Sequence, residues 1–307
     1  FSHQYAIDPS LYRWLRNTRT VEITTYAKNF YRIFSQSQIY SMFGFFTALA
    51  AFPFVREQKL VRFVLLPSLA VTSMTLLLSF SRSMWAAWII TGIVVIIWFL
   101  VYYGWRWKTI GLSVFAAAGL LIADFLVISF LANYPYLWNR PGGQATFSLF
   151  SDRGTTRDVA AASRYDQIQP LLRAIAKNPV FGLGFGTQIT YVTHDPRIVA
   201  ATGGVRTTFS FELGYLDFLL KIGIVGVVVL LGWIMSLLRA LWNRFRNAVL
   251  PAERILYLSL FFSVFALLIT HASTPYLNHP LGLGLLTLAA GCTAFGKDAH
   301  RPKKQEA

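Results

Sequence analysis

Seven stretches of this chain are continuously apolar over roughly 17–25 residues, the length a helix needs to cross a bilayer. They lie near 38–55, 61–80, 83–103, 109–131, 213–237, 255–272 and 281–296. Hydrocarbon offers no hydrogen bonds to a bare backbone, so only helices and closed barrels cross it. Barrel strands alternate apolar and polar residues, and these blocks do not. The expected fold is therefore all-α, a polytopic transmembrane helical bundle. Composition agrees: of 307 residues 55% are hydrophobic and 13% charged, against about 25% charged in a soluble domain. The chain opens at Phe1 with no initiator Met, so N-terminal truncation, with upstream helices missing, is the expectation. The lone Cys292 sits in the last apolar block and reads as a small core residue.

The net charge is +15. In a soluble chain that would suggest nucleic acid; here no nucleic acid is expected, and the location of the charge decides its meaning. Arg56, Lys59, Arg62, Arg106, Lys108, Arg239, Arg244, Arg246 and Arg254 fall in short connections on one side. The tail 297–307 adds Lys297, Arg301, Lys303 and Lys304, while the opposite short connections hold Arg82 alone. Positive loops stay inside, which makes the first set and the tail cytoplasmic. Residues 1–37, 132–212 and the mouths of the spans then face outward, with helices 1–4 in 38–131 and helices 5–7 in 213–296. The basic segment 1–37 votes the other way, but long segments translocate largely regardless of charge.

The large outer loop is partly helical. Residues 158–177 repeat Ile168, Leu171, Leu172 and Ile175 at three- and four-residue spacing, which predicts an amphipathic helix. Pro170 suggests a kink. Asn178-Pro179 ends the helix, and "GLGFG" follows as a tight turn. The spacing is not that of a dinucleotide fingerprint. The loop carries Arg140, Arg153, Arg157, Arg164, Arg173, Lys177, Arg197 and Arg206 against four aspartates. Topology requires no cations there. They suit either an anionic ligand or a solvated surface near lipid phosphates.

Three segments together resemble the O-antigen ligase and O-antigen polymerase superfamily, which covers roughly residues 35–290. "SFSRSMWAAW" (79–88) is similar to the family's Ser-Arg motif at the outer end of a span. "SRYDQIQPLLRAIAKNPVFGLGFG" (163–186) is similar to its arginine-led helix and Asn-Pro-x-x-Gly-x-Gly turn. "FELGYLDFLLKIGIVGV" (211–227) resembles the motif that opens the span after the loop. Its Gly-x-x-Gly-Val half matches. The family ligases' His position is occupied by Glu212 and the following polar position by Leu213, so ligase and polymerase both stay open.

The resemblance implies a glycosyltransferase of the bacterial cytoplasmic (inner) membrane, working on its periplasmic face. The donor would be a glycan on undecaprenyl diphosphate and the acceptor a sugar or lipid A-core-like hydroxyl, with membrane lipids around both. As the donor bond breaks, charge grows on the diphosphate, and fixed cations lower that barrier. Arginine stays charged and grips phosphate with two N–H groups. Arg82 and Arg164 occupy the family's two arginine positions. Without the resemblance, Arg82 reads as a cation snorkelling at a helix end and Arg164 as part of a solvated helix face. Glu212, at the mouth of the fifth span, would take the acceptor proton; alternatively it caps the helix dipole.

Further candidates for binding diphosphate or an acidic glycan are Arg153, Arg157, Arg206 and Lys221, with His194 as a second possible base. Asp217 and Lys221, four residues apart, share a helical face and are expected to pair. Asp124, deep in the fourth span, is a functional candidate by its position. Tyr165, Tyr191 and Trp138 could stack on sugars. No His-x-x-x-His or paired carboxylates occur on the outer side, so neither metal nor cofactor is expected. The competing readings are a transporter or flippase of lipid-linked glycans, to which Asp124 and Asp217 lend weight, and a non-catalytic membrane subunit.

Overall fold

The computed structural model describes residues 14, 17–18, 21–27, 30–54, 59–103, 118–130, 159–194 and 196–295. These are predominantly helical, and the protein is all-α and polytopic. The first half of the expected fourth span, the tail 297–307, Arg153, Arg157 and Trp138 lie outside the described residues. The described residues form two compact units. One holds those before Val159, apart from Ala50–Phe54; the other holds Ala50–Phe54 and those from Val159 onward.

The first unit begins with a feature the apolar pattern did not announce. Strands β1 (Val21–Ala27) and β2 (Phe30–Ser35) pair as an antiparallel hairpin, in register Val21↔Ser35 with one slip between Thr25 and Ala27. Three apolar helices follow: α1 (Gln38–Ala51), α2 (Lys59–Leu78) and α3 (Arg82–Tyr103). A fourth, α4, covers Ala118–Phe130. Phe45 of α1 meets Trp88 of α3 edge to face at 5.3 Å, and the Gln38 amide donates to Thr75 O at 3.4 Å. Met42, Phe46, Leu76, Met84 and Ala87 are buried between them.

The second unit starts with α5 (Val159–Ile175), which runs through Pro170. Then come β3 (Ile189–Val192), the short α6 (Pro196–Thr202) and β4 (Val205–Thr208). β3 and β4 form a second antiparallel hairpin, Ile189↔Thr208 to Val192↔Val205. The long α7 (Gly214–Asn247) returns through a tight turn into α8 (Pro251–His271), a 3-10 turn (Tyr276–Asn278) and α9 (Pro280–Phe295). Pro251 suits a helix start, where no N–H partner is needed. Trp242 stacks near Phe261 at 5.5 Å, the Tyr215 hydroxyl donates to Leu268 O at 2.8 Å, and Arg244 Nη2 donates to Thr293 O at 2.8 Å.

Each expected span overlaps an apolar helix, the fourth over the described residues 118–130. By length and composition α3, α7 and α8 are able to cross a membrane; the other four apolar helices are shorter within the described residues.

α7 is broken. At Gly223 the backbone leaves the helix, with φ 64° and ψ −175°. The two helix bonds that would run from Ile224 and Val225 back to Leu220 and Lys221 are open, and the turn after α5 takes all four groups. Leu183 N–H donates to Leu220 O at 2.7 Å and Gly184 N–H to Lys221 O at 3.0 Å. Ile224 N–H donates to Pro179 O at 2.9 Å and Val225 N–H to Val180 O at 3.2 Å. The turn thus acts as a finger laid into the helix break.

Only glycine admits this approach. A Cβ at Gly182 (φ 76°) would stand 2.6 Å from Gly223 N and from Lys221 O. A Cβ at Gly223 would meet Gly182 N at 2.6 Å and collide with the Val180 carbonyl. The break also folds the Ile222 side chain over Gly226, where a Cβ would lie 2.6 Å from Ile222 Cβ. The Gly-x-Gly and Gly-x-x-Gly motifs are therefore two halves of one contact.

Gly223→Ala should lower the melting temperature in detergent, through a backbone cost of about 1–3 kcal/mol plus the collision. Gly232→Ala, where a Cβ meets nothing within 4 Å, should be neutral or slightly stabilising. Equal melting of the two variants would remove the helix break as a structural requirement.

Candidate active site

The finger fixes where α5 lies, because α5 leads straight into it. Arg164, Gln167, Leu171 and Ala174 follow helical spacing and share one face. Its lower end is apolar: Leu171 packs with Phe211 and Leu220, flanked by Ala174, Ile175, Ile189, Leu213 and Leu216. Burying each large side chain stabilises by about 1.5–3 kcal/mol. Leu172, expected on this face, is exposed; the packed stripe runs through Gln167 and Leu171 instead.

The upper end of the same face is polar. Arg164 Nε donates to Glu212 Oε2 at 2.7 Å, with the side chains 26% and 43% exposed. Gln167 is buried, and its Oε1 accepts the Glu212 backbone N–H at 3.3 Å. Glu212 does not cap α7: the cap position is Leu213, with no side-chain bond. A carboxylate one residue before the cap needs no cap bond to favour the helix dipole, so that alternative stands beside the catalytic one. Among the described residues Arg164 engages only through Nε and Glu212 only through Oε2, leaving both guanidinium ends and Oε1 available to a ligand.

The β3–β4 hairpin backs this pair. Tyr191 and Arg206 face each other across it. Tyr191 is only 4% exposed, so it does not stack on sugars. Burial pushes its hydroxyl above the ordinary phenol value, against the pull of Arg206 and Gln167; the charges of Glu212 and Asp166 add to the rise. Gln167 is close but outside hydrogen-bonding geometry, and the Tyr191 hydroxyl is buried without a partner among the described residues. Tyr165 remains exposed.

His194 is an exposed residue held by Asp166: its N–H donates to Oδ2 at 2.8 Å and its Nδ1 lies 3.1 Å from Oδ1. Burial raises the Asp166 carboxyl, but the bonds from the His194 amide, its ring and Thr193 outweigh it and hold Asp166 below 3.8.

Asp217 and Lys221 form the expected pair, and both are buried. Lys221 Nζ donates to Asp217 Oδ2 at 2.9 Å, and Asn278 Nδ2 donates to the same oxygen at 2.8 Å. Lys221 also lies 5.8 Å from the centre of the Phe185 ring. This triad ties the first arm of α7 to the turn before α9. It engages Lys221 inside the protein rather than presenting it to a ligand.

Arg82 belongs to the other unit. It is the first residue of α3, after a turn in which Phe80 has φ 46°, the sole positive φ of a non-glycine among the described residues. The buried Phe80 ring, 5.7 Å from Trp85, and the Ser79 hydroxyl, which accepts from Ser81 N–H at 3.1 Å, hold that turn. In α4, Asp124 is buried, and its Oδ2 has no hydrogen-bond partner among the described residues.

A family model described as O-antigen ligase matches residues 67–231, more than half of the chain. This chain belongs to the O-antigen ligase family. The matched region contains the Arg82 turn, the Arg164–Glu212 pair and the Gly182–Gly223 contact. Comparisons with curated proteins and with solved structures return no match. Gln167, which braces the Glu212 backbone, is the residue that sequence reading passed over. Its signal was available as the position one turn after Arg164 on the packed face.

Asp217→Ala should destabilise the protein by about 3–5 kcal/mol, because it strands a buried lysine. Glu212→Gln should change stability by less than about 1 kcal/mol, since its pair is half-exposed. Thermal unfolding in detergent distinguishes the two. The Asp166 contribution is complete above 3.8 and is lost as pH falls through the depressed folded value. Hydrogen-exchange protection of the His194 amide should therefore persist at neutral pH and collapse only in acid.

Proposed function

We propose that this membrane protein transfers a glycan from a polyprenyl-diphosphate carrier to a sugar hydroxyl at the outer face of the bacterial inner membrane. The observation that carries this reading is the 2.7 Å contact between Arg164 Nε and Glu212 Oε2. It sets a cation for the leaving group beside a carboxylate for the incoming hydroxyl. The acceptor oxygen bonds to the anomeric carbon of the donor sugar while the bond from that carbon to the diphosphate oxygen breaks. The acceptor proton passes to Glu212 Oε1, and the diphosphate leaves with the bonding electrons against the Arg164 guanidinium.

Glu212 thus takes the place that the family's ligases give to histidine. Arg206, in the hairpin behind the pair, is a further phosphate or acidic-glycan contact. Arg82 is assigned a second diphosphate contact on the strength of the family's Ser-Arg position alone. Lys221 acts through Asp217 as a support. The transporter reading leaned on Asp217 and Asp124; Lys221 and Asn278 engage Asp217 in a bonded cluster, which favours a structural role for it.

In a purified transfer assay, Arg164→Ala and Arg82→Ala should each abolish activity, and the lysine variants should recover little of it, since the two-pronged grip is lost. Glu212→Gln should reduce kcat by about 10²–10⁴-fold. Full activity in Arg164→Ala or Glu212→Gln would sink the assignment of that residue. A deletion strain separates the two reaction types: a polymerase loss leaves short glycans only, and a ligase loss accumulates lipid-linked polymer.

A further inference from the structure

The finger that fills the helix break has a second property. Of its residues, Val180, Phe181, Leu183 and Phe185 are all exposed, Phe181 at 72% and Phe185 at 62%. From Asn178 to Thr193 no residue is charged. Surface aromatics concentrated this way, with no charge among them, mark a contact surface rather than a hydrated turn.

Its position on α7 shows what it touches. α7 carries no charge from Ile222 to Leu238, between Lys221 and Arg239. The finger bonds to Leu220, Lys221, Ile224 and Val225, at the outer start of that run. Directly beyond lie Ile224, Val225, Val228 and Val229, all exposed on a helix long and apolar enough to cross a membrane. The finger's backbone is bonded to Ile224 and Val225, the first two residues of this face. Irregular backbone is tolerated at such depth only where its polar groups are bonded. Gly182, Leu183 and Gly184 donate their N–H groups within the protein and Pro179 has none; those of Val180, Phe181, Phe185 and Gly186 make no backbone bond among the described residues, which suits the wet headgroup boundary rather than the dry centre.

We propose that the Pro179–Gly186 finger is inserted into the outer leaflet of the bilayer, with Phe181 and Phe185 among the upper acyl chains. Interfacial segments bury their apolar side about 5–10 Å into the headgroup–acyl boundary, which suits a single turn. The insertion pins the end of α5 to the membrane surface and so sets the height of Arg164 and Glu212 at the level of lipid phosphates. The depth of the finger does not depend on which reaction the pair performs.

Phe181→Cys or Phe185→Cys, in a Cys292→Ala background, carries an environment-sensitive NBD label. The protein is reconstituted into phosphatidylcholine–phosphatidylglycerol vesicles. A label at Val229 serves as the membrane reference. Both finger labels should be quenched several-fold more by lipids bearing a nitroxide on a shallow chain carbon than by aqueous iodide. They should also be quenched less than Val229 by a nitroxide near the chain end. Stronger quenching by iodide would place the finger in water. Protection from both quenchers would mean that protein covers it. Either result overturns the proposal. The two side chains are exposed, so labelling spares the core, and unchanged melting in detergent checks each variant separately.

Discussion

Four backbone bonds across the break at Gly223 hold the outer arm of α7 to the turn after α5. A helix that opens two of its own hydrogen bonds in a dry environment loses several kcal/mol unless the freed groups find partners. Here they find them in a turn some forty residues upstream. Because the partners are backbone atoms, the geometry is tight, and it excludes any Cβ at Gly182 or Gly223. α5 is thereby anchored at its C-terminal end, and its packed face is aimed along the outer arm of α7. The Arg164–Glu212 pair follows from that anchoring together with the Leu171–Phe211–Leu220 cluster.

The break also settles how a helix of this kind accommodates Glu212, Asp217 and Lys221. All three precede Gly223, and Asp217 and Lys221 lie on the short arm that packs against α5, α8 and the turn before α9. Asp217 and Lys221 neutralise each other inside protein, and Asn278 occupies a further acceptor position. Glu212 sits outside the helix proper and meets Arg164 at a half-exposed surface. The charges therefore divide by environment. The buried pair ties elements together, and the half-exposed pair is the one the proposed transfer uses.

Much of this architecture was legible in advance. The apolar blocks mapped onto helices because helix-forming apolar length is a local property. The Asp217–Lys221 pair was legible because helical spacing fixes which side chains meet at four residues. The β3–β4 hairpin was missed because its strands are four residues each, too short for alternation to stand out. Tyr191 read as a sugar platform and turned out to be buried, since an aromatic residue in a loop carries no local sign of which side it faces. Leu172 fitted the apolar period of α5 yet points outward, because the face that packs was chosen by α7.

The sequence by itself determined a polytopic helical membrane protein of the O-antigen ligase family, since long apolar runs leave the backbone no other conformation in lipid and the motifs survive in order. Tertiary structure alone decided that Glu212 meets Arg164 across 48 positions, that Asn278 donates to Asp217 Oδ2 across 61, and that two glycine motifs form one joint. Those contacts depend on a single non-helical φ and on close backbone approach, which no local pattern of apolar and charged residues encodes.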